Sequence, residues 1–153
     1  MIEKVYMVTK TDFPLKAYYD LSAFKIYMCD VGLLRRMANL DSNIVIEGDR
    51  LFEEFKGAFT ENFVLNMLQY TFDSTINYFI FDRHEIDFVI QNKNKIIPIE
   101  VKASKTSKNI SLTKFNEKFD NEISIRFSLN NLAKDGKVLN IPLFMIEYIE
   151  KFI

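Results

Sequence analysis

At 153 residues, 48% hydrophobic and 27% charged, the chain has room for one ordinary domain with a real core, which excludes a disordered chain. A formal net charge of −1 excludes a generically basic nucleic-acid binder, and a single cysteine excludes an internal disulfide and suits a reducing compartment. No apolar run approaches the ~20 residues of a membrane span and no signal peptide is visible, so no membrane partner is expected and the cytoplasm is the default location. Fifteen Phe and seven Tyr without Trp predict a core built on aromatic packing.

Lys4 to Thr9 reads as a short strand that Asp12-Phe13-Pro14 breaks. Ala23 to Cys29 is a second strand; Cys29, inside the run FKIYMC, reads as a buried structural thiol rather than a nucleophile. Asp30 can N-cap a short helix through Val31 to Met37. Residues 1–48 read as a lead-in and 49–153 as the main domain.

Asp49 to Tyr70 is the clearest helix, with Phe52, Phe55, Phe59 and Phe63 at spacings of three and four marking a buried stripe. Glu61 lies off that stripe, on a second apolar face with Gly57, Val64, Leu65 and Leu68. A helix apolar on two sides is expected to be sandwiched, with Glu61 partly buried and Gly57 admitting a close backbone. Buried Glu needs a partner. A metal ion, a nearby lysine or a loop amide would each serve.

Thr75 to Phe81 supplies a strand, and Asp82-Arg83-His84 links it to the next. His84 is the only histidine, which excludes zinc sites needing several and argues against a Cys/His triad; a lone loop histidine is ordinarily solvated. Ile86 to Ile90 and Ile96 to Val101 flank the polar tip QNKNK and read as a β-hairpin. Further on, Ala103 to Asn109 is a polar loop with freedom to move, and Ser111 caps a helix to about Asp120 that turns Leu112, Phe115 and Phe119 inward. Ile123 to Leu129 alternates as a strand with Ile123, Ile125, Phe127 and Leu129 on one face. Lys134 to Lys137 is a turn, Val138 to Ile141 a short strand, and Pro142 opens a final helix.

The hairpin carries the chemistry. Successive strand side chains alternate, so Pro98, Glu100 and Lys102 share one face. With Lys93-Asn94 as the turn, antiparallel pairing sets Asp87 opposite Glu100, their Cβ atoms roughly 5 Å apart. Carboxylates this close repel, and burial disfavours their ionised forms further. A hard dication such as Mg²⁺ or Mn²⁺ would remove that conflict. The same pattern also suits an exposed strand face of ordinary surface charges. Charge is uneven along the chain: eleven Asp/Glu face five Lys/Arg from Asp30 to Asp87, but seven Lys face two Glu from Gln91 to Lys118. The second region could meet phosphates, or form a solvated lysine-rich surface. None of the four glycines begins G-x-x-x-x-G-K-S/T, so no nucleotide site is expected.

Asp87 followed by Glu100-Val101-Lys102 at the end of the next strand resembles the PD-(D/E)XK signature of restriction-endonuclease-like nucleases, with Ile86 where the signature has proline. Glu61 in GAFTENFV matches the acidic residue that pattern places on a preceding helix. The ordered stretches PLKAYYDLSAFKIYMCDVGLL, GAFTENFVLNML, EIDFVI and PIEVKAS are similar to a domain of unknown function found C-terminal to the ATPase core of many prokaryotic AAA-type ATPases. The resemblance implies an α/β, restriction-endonuclease-like fold, a mixed central sheet flanked by helices behind a short lead-in. It implies Mg²⁺ or Mn²⁺ held by Glu61, Asp87, Glu100 and the Val101 carbonyl, and Lys102 orienting or helping to deprotonate the attacking water. Lys105 and Lys108 would contact phosphates, with DNA as a substrate and the ATPase region as a partner. On that reading Met1 begins a fragment or a natural remnant. The competing expectation is a catalytically silent module that positions or regulates the ATPase.

Overall fold

The computed structural model describes residues 1–40, 50–104 and 110–153, the side chains of residues 50–54 excepted. Its elements in chain order are β1 (Ile2–Val8), a 3-10 turn (Leu15–Tyr18), β2 (Tyr19–Met28), α1 (Val31–Met37) and α2 (Arg50–Thr71). There follow β3 (Asn77–Phe81), β4 (His84–Asn92), β5 (Lys95–Val101), α3 (Ile110–Lys118), β6 (Ser124–Ser128), β7 (Ala133–Asp135), β8 (Val138–Pro142) and a C-terminal 3-10 helix (Leu143–Lys151). The strands form one mixed eight-stranded sheet in the order β2-β1-β3-β4-β5-β6-β8-β7. The pairs β1–β3, β5–β6 and β6–β8 are parallel, and the rest antiparallel. Both strands of the lead-in therefore join the same sheet as the hairpin.

Helices cover both faces. On one, Val64, Leu65 and Leu68 of α2 and Ile146 and Ile149 of the C-terminal 3-10 helix pack over Phe88, Ile90, Ile97, Ile99, Ile125 and Phe127. On the other, Leu15, Leu112 and Phe115 cover Val8, Phe79, Phe81, Ile86 and Val89. The second layer is largely aromatic, with Phe115 and Phe119 ring centroids 4.7 Å apart and both rings edge-on to Phe79 and Phe81.

Local signals explain most element limits. Asp30 Oδ1 accepts the Leu33 amide at 2.8 Å, the N-cap that starts α1. Lys93, at φ 54°, makes the two-residue turn of the β4–β5 hairpin, and Gly136, at φ 57°, turns β7 into β8. Pro98 needs no donor in the ladder where it faces Val89, between the hydrogen-bonded pairs of the hairpin.

Several expectations need correction. The phenylalanine stripe is not the buried face of α2: Phe55 and Phe63 are exposed and only Phe59 is buried, while the Phe52 side chain lies outside the described residues. A single sheet lies under α2, and its core face is the row Val64, Leu65, Leu68 and Phe72. The helix also packs against α1 and the C-terminal 3-10 helix. A Cβ at Gly57 would meet nothing within 4 Å among the described residues, so no described backbone approaches there. The final helix is 3-10, β2 starts at Tyr19 rather than Ala23, and Ser111 is inside α3 rather than before it. Leu129, past the end of β6, is exposed. His84 opens β4 opposite Phe81 instead of lying in a loop. The start of the long helix at Asp49 and the polar loop at 105–109 lie outside the described residues.

Candidate functional site

The hairpin register is the expected one: Asn92 faces Lys95, Gln91 faces Ile96, and the pairs run on to Phe88 and Ile99. It stops one step short of Asp87 and Glu100. Against β3, Asn77 faces Val89 but Phe79 faces Ile86, so β4 carries one extra residue between Ile86 and Val89. This is a β-bulge, a device that re-aims a side chain. As a result, Ile86 and Val89 both face the aromatic layer while Phe88 between them faces α2. Asp87 takes the position that breaks the ladder. Its Oδ2 accepts the Val101 amide at 2.7 Å, where a continued ladder would use a main-chain carbonyl.

Glu61 lies on α2 one turn before Val64 and Leu65, on the helix side that faces the sheet, and is half-buried. Burial first and the Glu61 charge second push the Asp87 carboxyl up to about 7, against the Val101 amide, Lys102 and Lys25, which favour its ionised form. The Glu61 charge thus acts on the buried Asp87 carboxyl.

A residue that sequence reasoning missed completes this corner. The Tyr27 hydroxyl donates to Glu61 Oε2 at 3.2 Å. Burial and the Glu61 carboxylate push the Tyr27 phenol well above its ordinary range, so it stays protonated as a donor. Tyr27 is held over Glu61 because α2 grips the next residue. Asn62 Oδ1 accepts the Met28 amide at 2.8 Å, and the Asn62 and Asn66 side-chain amides donate to the Met28 carbonyl at 2.9 and 3.1 Å. A cavity of about 210 Å³ beside Glu61 is lined by Ile26, Tyr27, Met28, Leu34, Ala58 and Asn62. Its apolar walls keep the local dielectric low.

Glu100 is only 3% exposed. Its Oε1 pairs with the Lys102 ammonium, and its Oε2 is buried with no hydrogen-bond donor among the described residues. The Lys102 amide donates to the Phe127 carbonyl at 2.8 Å, which fixes the strand end on β6. So Glu61 acts on Asp87 through its charge, Lys102 acts on Asp87 while pairing with Glu100, and Val101 binds Asp87 through its amide. Among the described residues, no three His, Cys, Asp or Glu side chains are gathered closely enough to hold a metal ion. Lys105 and Lys108 lie outside the described residues.

The donor set nonetheless fits a hard dication in its chemistry. All candidate ligands are oxygens, two of the carboxylates repel in the absence of a cation, and the third has an orphaned buried oxygen. Among the described residues, four lysines of the lysine-rich stretch are paired with acids. Lys95 pairs with Glu122, Lys102 with Glu100, Lys114 with Glu117 and Lys118 with Asp82. Cys29 is only partly buried, and His84 stacks beside the Phe81 ring at 5.5 Å. Among the described residues no helix is long and apolar enough to cross a membrane.

No match was found among curated proteins or among solved structures. A family model does match, over residues 56–144, a span that holds Glu61, Asp87, Glu100, Val101 and Lys102 but not Tyr27. With more than half of its length matched, the chain belongs to the family described as Domain of unknown function (DUF4143).

Proposed function

We propose that this domain is a divalent-metal-dependent phosphodiesterase of the restriction-endonuclease-like kind, acting on nucleic acid, and that it serves as an accessory domain to an AAA-type ATPase region. The observation that carries the reading is the Asp87 carboxyl at the bulged end of β4, held by the Val101 amide and acted on by the Glu61 charge, one strand from Glu100 and Lys102. Such an arrangement is costly unless a cation joins it. Glu61, Asp87 and Glu100, with the Val101 carbonyl, would hold Mg²⁺ or Mn²⁺. When bound, such an ion supplies Lewis-acid charge and makes water more acidic at neutral pH.

The chain's own groups do the rest. Asp87, anchored by the Val101 amide, holds a fixed position between β4 and β5. Lys102 offers an ammonium at the strand end, where it can orient a water or neutralise a phosphate oxygen. The partly apolar corner under α2 limits water and strengthens every charge interaction within it.

One observation favours a second reading, a catalytically silent module that positions the ATPase. Among the described residues four lysines near the hairpin are paired with acids, which offsets part of the positive charge that a polyanion would meet. A cleavage assay separates the two. With Mg²⁺ or Mn²⁺, the purified chain is expected to cut DNA or RNA, single- or double-stranded, and Asp87→Ala and Glu100→Ala to lose that cutting. Cleavage undiminished in Asp87→Ala overturns the nuclease reading, and silence on every substrate moves the assignment to the module.

A further inference from the structure

We propose that Tyr27 is a positioning residue of this site: its hydroxyl, 3.2 Å from Glu61 Oε2, fixes the Glu61 carboxylate for a divalent cation. The inference rests on the cation site proposed above and extends it to a strand that lies outside the matched family span. Three features of the structure support it.

The first is how firmly the phenol is placed. Tyr27 is buried, its ring centroid is 5.8 Å from that of Phe88, and Phe88 is the neighbour of Asp87 in β4. The Met28 backbone beside it is clamped to α2 by Asn62 on both its amide and its carbonyl. Phenol and carboxylate are therefore held by adjacent residues of two elements, Tyr27-Met28 on β2 and Glu61-Asn62 on α2. Neither can drift without breaking the clamp.

The second is the choice of acceptor. A buried tyrosine needs a partner for its hydroxyl, and here the acceptor is one oxygen of the half-buried Glu61 carboxylate. The phenol occupies Oε2 and so leaves Oε1 to face other groups. A donor that claims one oxygen of a ligating carboxylate orients it and limits its rotation, which is the ordinary role of outer partners around metal ligands. The third is position in the sheet. β2 is the edge strand, yet Tyr27 is the one residue of it that is buried. The lead-in strand delivers its single core side chain to the candidate site.

The test is Mn²⁺ and Mg²⁺ binding to the whole chain, followed by calorimetry at one pH, rather than activity. Tyr27→Phe keeps the ring and removes only the hydroxyl, and affinity is expected to fall by about 10- to 100-fold. Affinity within twofold of the unmodified protein, with stability alone reduced, overturns the positioning role. A second measurement needs no deletion. With 3-fluorotyrosine at position 27, the ¹⁹F resonance is expected to move on Mg²⁺ titration with the dissociation constant found by calorimetry. A resonance that stays still at saturating Mg²⁺ overturns the proposal even where Tyr27→Phe does not fold. If the unmodified protein binds neither cation, the cation-site reading itself has failed; if it binds and Tyr27→Phe binds equally, only the role of Tyr27 has.

Discussion

At pH 8, Asp87→Asn is expected to stabilise the metal-free domain by about 2–4 kcal/mol. The Asp87 carboxyl is held up to about 7 in the folded chain, by burial and by the Glu61 charge, against about 3.9 when unfolded. Below about pH 4 both states hold the proton and ionisation costs nothing. Between about 4 and 7 only the unfolded state releases it, so the folded state binds more protons and stability falls as pH rises. Above about 7 the whole cost is present. Roughly three pKa units at 1.36 kcal/mol each gives an upper figure near 4 kcal/mol, which local relaxation and partial solvation reduce. Asn keeps an oxygen for the Val101 amide but cannot ionise beside Glu61. Urea unfolding from pH 4 to 8 measures this: the midpoint of the natural chain should decline relative to that of Asp87→Asn. Parallel curves for the two proteins would show that Asp87 is not strained.

Lys102→Met is expected to cost the metal-free fold about 3 kcal/mol. Glu100 is almost fully buried, its Oε2 has no donor, and the Lys102 ammonium is its one cationic partner among the described residues. Removing one member of a buried ion pair leaves an uncompensated charge, at about 3–5 kcal/mol. The lower end applies because the Lys102 side chain is 26% exposed. Lys102→Met combined with Glu100→Gln should recover most of the loss, since it removes the charge as well as the partner. Chemical denaturation of the single and double variants gives the comparison. An equal loss in both would mean that packing of the lysine stem, not the charge, is responsible. Lys102→Arg, which keeps a cation beside Glu100, is therefore the better substitution for testing a role in cleavage.

The hairpin was legible because two β-branched runs flank a short polar tip, and its register followed from a two-residue turn. The N-cap at Asp30 was legible because a short side-chain acceptor just before a helix-forming run has one common use. The buried face of α2 was not. Phe55 and Phe63 repeat with helical period just as Val64, Leu65 and Leu68 do, and periodicity cannot say which of two apolar rows a single sheet will cover. The site was half legible. Carboxylates at Glu61, Asp87 and Glu100 were singled out by type and spacing, but the bulge that turns Asp87 toward the Val101 amide depends on β3, which local pattern does not see. The pairing of Glu100 with Lys102 agrees with the strand face that alternation gives them both. Tyr27 gave the weakest signal of all. It is one aromatic in an alternating strand, and its meaning comes from Asn62, 35 residues downstream, gripping the adjacent Met28.

The most direct measurement of the central claim is metal-dependent stability. A ligand that binds only the folded chain stabilises it by RT ln(1 + [L]/Kd), so Mg²⁺ or Mn²⁺ at about 100 Kd should add about 2.7 kcal/mol. The gain should disappear in Asp87→Ala, which leaves Glu61 without its partner carboxylate. Equal stability with and without metal, or an equal gain in Asp87→Ala, would contradict a cation site built on Glu61 and Asp87.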